Sequence, residues 1–142
     1  MEKFNLDIPK MGYFILYRND GGWLSNTIEK TQLRYGFKRE DARYTHVEVS
    51  LGGQYSVYVG WPRNRWVDIR EKHPGRHIKI CKYQADNYDV KRYKVGAWAA
   101  THCNLFYDVS GIVAFLTNAV THNRKLYFCS ESGLWALQKE YP

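Results

Sequence analysis

At 142 residues the chain has the length of one domain, 1–142, and can bury roughly two thirds of its unfolded surface around one core. A hydrophobic content of 44% with 16% aromatics excludes a disordered chain. Lys and Arg number 21 against 14 acids, a net charge of +7, which favours an anionic surface or polymer as partner without choosing among them. The opening residues "MEKFNLDIPKM" lack the apolar run of a standard signal peptide. The most apolar stretch, "GIVAFLTNAV", is about half of what a transmembrane helix needs. The expectation is a chain that is cytoplasmic, or released without a standard signal peptide, and has no transmembrane segment.

In chain order, "YFILYR" (13–18) reads as a short strand broken by "NDGG". "WLSNTIEKTQL" then sets Leu24, Ile28 and Leu33 near helical spacing. "RYGFKREDARY" reads as a charged loop. "THVEVSLGGQYSVYVGW" holds two runs of β-formers around Gly52-Gly53 and reads as a hairpin. "RWVDIREK" and "HIKICKYQ" alternate and predict two more strands, with Pro74-Gly75 as the turn between them. From Tyr88 the texture changes. "YDVKRYKVGAWAATHCNL" and "VSGIVAFLTNAV" look helical, "HNRK" is a loop, and "CSESGLWALQKEY" reads as a last helix. The order predicts an α+β domain with a mainly antiparallel sheet.

Three cysteines, Cys81, Cys103 and Cys129, are odd in number and spaced too widely for zinc knuckles. Neither a disulfide framework nor a metal site is expected, and a reducing compartment is the easier reading. Cys81 lies inside an alternating strand and Cys103 late in a helical stretch, where a cysteine is most simply a small buried hydrophobe. Cys129 differs, because in "YFCSES" it opens an apparent helix. Unpaired N–H groups and the positive end of the helix dipole stabilise a thiolate there and can also hold an oxyanion.

A cysteine nucleophile wants a histidine base. His73 and His77 flank the Pro-Gly turn, His122 is in a polar loop, and His102 points away from its neighbour Cys103. His46 opens a Val-rich strand, where a side chain is held more rigidly than on a loop.

"YTHVEVSLGG" followed much later by "FCSE" resembles the circularly permuted branch of the papain-like, NlpC-type cysteine hydrolases, related to the lecithin retinol acyltransferase-like branch. In that branch the His strand precedes the Cys helix. "GYFILYRNDGGWLSNTIE" is similar to its opening strand and turn into a helix, and "YDVSGIVAFL" to the Tyr-Asp-x-x-Gly segment before the cysteine. The resemblance runs from about Gly12 to Leu137. It implies a permuted papain-like fold with the Cys helix towards the C-terminal end. Cys129 would be the nucleophile and His46 the base, acting on an amide, ester or thioester of a peptide or acyl substrate, with no metal or organic cofactor. Cell-wall peptides fit the wider family and lipid-type amides the acyltransferase branch. Trp23 and Ser25 would line the cleft; the plainer alternative puts Trp23 in the core. Glu131 would serve the site or simply favour the first helical turn by its charge.

The chain departs from the family pattern at two places. Tyr13 stands where the family has Asp before its first strand, and Tyr58 stands where it has a polar third residue twelve positions after the histidine. A two-residue Gly52-Gly53 turn would turn Tyr58 away from His46. A three-residue loop with a glycine bulge would bring it to the same face. Glu48 shares the His46 face in either register, because strand side chains alternate. Tyr58 and Glu48 are therefore both candidates to orient the imidazole, with Tyr58 slightly preferred by family position.

Two other readings stand beside the hydrolase. One is a catalytically weak relative that binds a partner or ligand in the same cleft. The other is a basic nucleic-acid-binding module, drawn from the mixed aromatic and basic residues of "GWPRNRW" and "VKRYK".

Overall fold

The computed structural model describes residues 9–72, 74–103, 106–107, 109, 113, 116–117, 126–127, 137–138 and 140–141. The elements are β1 (Phe14–Arg18), α1 (Trp23–Arg34), α2 (Arg39–Ala42), β2 (Tyr44–Gly52), β3 (Tyr55–Tyr58), β4 (Arg65–Asp68), α3 (Ile69–Lys72), β5 (Ile78–Cys81), α4 (Tyr88–Thr101), β6 (Phe106–Tyr107) and β7 (Leu126–Tyr127). The expected α+β architecture is observed. β1 to β5 form one sheet in the order β4-β3-β2-β1-β5, and each of its pairs is antiparallel. The two-residue strands β6 and β7 pair in parallel.

The expected strand at "RWVDIREK" is shorter than its alternation implied. β4 stops at Asp68, whose Oδ1 accepts the Arg70 backbone N–H at 2.9 Å, and the chain turns into α3. That local carboxylate–backbone bond offers the segment an alternative to the ladder. The expected charged loop after α1 likewise contains the single turn α2. The two remaining predicted helices, over 109–120 and 129–141, fall largely outside the described residues.

Register decides what each sheet face carries. Val49 pairs with Val57 and Ser50 with Ser56, but Gly52 pairs with Tyr55, so Leu51 and Gly52 together oppose one residue. This is a bulge, and Gly52 at φ +97° and Gly53 at φ +58° supply the left-handed backbone it requires. Of the two registers open to the sequence, the bulged one is observed.

One face carries Phe14, Val49, Leu51, Val57 and Val59, and α4 packs on it through Tyr88, Val95, Trp98 and Ala99. The helix approaches closely because of two glycines. A Cβ on Gly12 would lie 2.0 Å from the Arg92 carbonyl oxygen, and one on Gly96 would lie 2.5 Å from Met11 Cγ. Tyr88 Oη–H donates to the Gly12 carbonyl and fixes the start of the same helix. The opposite face carries His46, Glu48, Ser50, Ser56 and Tyr17, all supplied by the alternation of β1, β2 and β3.

Candidate functional site

His46 and Glu48 stand two residues apart on β2, and so on one face. Their side chains meet, with His46 Nε2 at 3.0 Å from Glu48 Oε1. Glu48 is 1% exposed, and an ionised carboxylate at that depth needs several donors. It has them. Tyr17 Oη–H donates to Oε2 at 3.1 Å, and Ser56 Oγ–H donates to the same oxygen. With the carboxylate ionised, Nε2 of His46 carries the hydrogen and donates it to Oε1, which directs the Nδ1 lone pair to the other edge of the ring.

The sheet supplies each partner. Tyr17 lies directly across from His46 on β1. Ser56 lies across from Ser50, one step along the face from Glu48. Burial pushes the Tyr17 phenol above the ordinary tyrosine range, and the Glu48 charge pushes it further. Tyr17 therefore stays a protonated donor to the carboxylate.

Two aromatic rings flank the imidazole. The Tyr17 and Tyr58 ring centroids lie 5.5 and 5.4 Å from that of His46. The imidazole side chain is 17% exposed, so it is held from several sides yet reaches the surface. The bulge places Tyr58 on the His46 face, as the three-residue-loop alternative required. The Glu48 carboxylate hydrogen-bonds the imidazole, and the Tyr58 ring lies against it. Tyr58 lies back over Gly60, where an added Cβ would fall within 2.4 Å of the phenol.

The other sequence candidates fall as follows. Cys129 and Glu131 lie outside the described residues, as do His73 and His122. Trp23 is not a core residue: it is 75% exposed in the first turn of α1, where it precedes the buried side of the helix. Ser25 lies on the same turn beside Asp20. The Gly22 N–H and then the Ser25 hydroxyl hold the Asp20 carboxyl below its usual range. His102 ends α4 stacked on Trp98 at 3.9 Å, with Nδ1 at 2.7 Å from the Trp98 carbonyl oxygen. Its neighbour Cys103 points instead to the Ala99 carbonyl, and burial pushes the Cys103 thiol up. Cys81 and Cys103 are free thiols, both half-buried.

Tyr17 and Ser56 were not among the sequence candidates. "YFILYR" shows that Tyr17 alternates with Leu16, but which strand lies beside β1 is a tertiary fact. Among the described residues no group of three His, Cys, Asp or Glu side chains could hold a metal ion. Among them also, no helix is long and apolar enough to cross a membrane. No family model, curated protein or solved structure matches the chain.

Proposed function

We propose that the protein is a thiol hydrolase or acyltransferase of permuted papain-like fold, acting on an amide, ester or thioester, with Cys129 as nucleophile and His46 as base. The observation that carries this reading is the His46–Glu48 bond, in which a buried carboxylate held by two hydroxyl donors fixes the imidazole tautomer. A carboxylate so held orients a general base and stabilises the imidazolium that forms. Glu48 thus takes the positioning role.

In the proposed reaction the Cys129 proton passes to His46 Nδ1. The thiolate adds to the substrate carbonyl, and backbone N–H groups at the start of the Cys helix stabilise the oxyanion. The bond to the leaving group breaks as the imidazolium returns the proton to it. Water, or an acceptor hydroxyl or amine, then attacks the thioester with His46 as base and regenerates the thiol.

The test is timed iodoacetamide labelling of the native protein, read by peptide mass. Cys129 should label first, and its labelling should slow when His46 becomes Ala. Cys103, whose thiol is pushed up by burial, should label slowly until denaturant is added. Labelling of Cys81 or Cys103 as fast as Cys129 in the folded protein would remove the physical basis of the assignment.

A second reading has one observation in its favour. Trp61 and Trp66 are 69% and 63% exposed among Arg63 and Arg65, a stacking and basic surface. Steeply salt-dependent binding to mixed oligonucleotides, with no thiol capture by activated acyl probes, would favour this binding module over the hydrolase.

A further inference from the structure

The five-stranded sheet has two edges. β4 forms one and ends at Asp68, where the chain turns into α3. β5 forms the other, with β1 on one side and, among the described residues, no strand on the other.

Register fixes which backbone groups of β5 face that open side. The Arg18 N–H donates to the His77 carbonyl at 3.0 Å. Leu16 lies across from Lys79, and Phe14 across from Cys81. Successive residues of an antiparallel strand turn their N–H and C=O groups to opposite sides. His77, Lys79 and Cys81 therefore bond to β1, and the N–H and C=O groups of Ile78 and Ile80 point out of the edge. β1 agrees with this assignment. Its Tyr13 carbonyl accepts the Ser50 N–H of β2 at 2.8 Å, so its odd-numbered residues serve β2 and its even-numbered ones β5.

The side chains add a second pattern. Ile78 and Ile80 lie on the His46 face, across from Tyr17 and Ile15, and are only half-buried. Lys79 takes the other face and is exposed. The segment "RHIKICK" (76–82) carries Arg76, Lys79 and Lys82 and no acid. Lys82 reaches Asp89 at 3.5 Å, while Arg76 and Lys79 form no ion pair among the described residues.

We propose that β5 is a docking edge for an extended acidic segment of a partner protein, which adds to the sheet as a further strand. Backbone bonds to Ile78 and Ile80 hold it, its apolar side chains cover the two isoleucines, and acids on its other face meet Lys79. A second copy of this chain suits the edge less well. The register that uses both isoleucines of each copy sets one Lys79 directly against the other, and like charges so placed are destabilising. The proposal stands apart from the hydrolase reading.

The probe is a capped octapeptide of alternating Val and Glu, with its Val-Lys counterpart as control. Binding is followed by NMR on isotope-labelled protein, together with amide exchange. Without peptide, the Ile78 and Ile80 amides should exchange fast and those of Lys79 and Cys81 slowly. The Val-Glu peptide should slow the first pair. Lys79→Glu should weaken that peptide about tenfold and turn the preference to the Val-Lys peptide. Ile80→Pro removes one outward N–H and leaves the β1 ladder its donors, so it too should weaken binding about tenfold. If Ile80→Pro fails to fold, the exposed Lys79→Glu change decides alone.

A wild type that binds neither peptide, binds both equally, or binds Val-Glu without slowing Ile78 and Ile80 overturns the docking edge. Slow exchange at those two amides without peptide overturns it as well, and a dimer mass would then assign the edge to a second copy. Binding lost in Cys129→Ala would place the peptide at the proposed nucleophile and overturn the edge. Binding kept in that variant supports the edge whether or not the hydrolase reading holds.

Discussion

Glu48 is the residue on which the candidate site turns. It is a carboxylate at 1% exposure, held by Tyr17, Ser56 and His46. Replacing it by Gln keeps the volume but removes the charge that fixes the imidazole tautomer. We expect Glu48→Gln to lower kcat by about 10–100-fold with KM little changed and with the far-UV spectrum intact. Tyr58→Phe, which keeps the ring against His46, should cost less. The opposite ranking would transfer the positioning role to Tyr58. The neighbour on the other side of the strand makes a separate case. Thr45 is buried, and among the described residues its Oγ1 has no hydrogen-bond partner. A buried hydroxyl without a partner costs about 1–3 kcal/mol, so Thr45→Val should raise the urea midpoint, because Val keeps the β-branched shape and drops the polar atom. A lowered midpoint would show that the hydroxyl is satisfied in solution.

The decisive contact between elements is that of α4 with the start of β1. Gly12 has φ +85°, and a Cβ there would meet the Arg92 carbonyl at 2.0 Å, a backbone atom that cannot swing aside. Gly12→Ala should therefore destabilise the protein by about 2 kcal/mol or more, through backbone strain and a displaced helix together. Equilibrium urea unfolding measures it, and a midpoint within error of the wild type would contradict the close approach. The hairpin shows how one turn reaches the site. The Gly52 bulge sets the register that puts Ser56 beside Glu48 and Tyr58 beside His46. A two-residue turn would have exchanged those side chains for Val57 and Val59.

Across the whole molecule, burial gives several of the described groups one pH dependence. Burial pushes the Tyr17 and Tyr88 phenols above the tyrosine range and the Cys103 thiol above its ordinary value. In each the folded chain holds a proton that the unfolded chain releases at lower pH. The stability these groups contribute is fully present below their unfolded values, about 9 for the thiol and about 10 for the phenols, and is lost as pH rises above them. Urea midpoints should stay level to about pH 9 and then fall, while at least two of the 12 tyrosines resist ionisation at 295 nm until the protein unfolds. Midpoints that hold level through pH 11 would mean that these groups titrate as freely folded as unfolded.

The sequence by itself determined the α+β class, the strand at 44–52, and the fact that His46 and Glu48 share a face, because a period of two is a local property of the backbone. It determined the two registers open to the hairpin, since Gly52 and Gly53 permit both. Only the tertiary structure decided between them, and only it brought Tyr17 and Ser56 to Glu48 and set Arg65 and Lys72 around Tyr58. The strand order β4-β3-β2-β1-β5 places β1 between β2 and β5, and that order follows from which faces can be buried together across the sheet. No local pattern encodes it. The alternation of "HVEVS" puts Glu48 on the His46 face, but only the strands on either side of it supply the donors that let its carboxylate be buried.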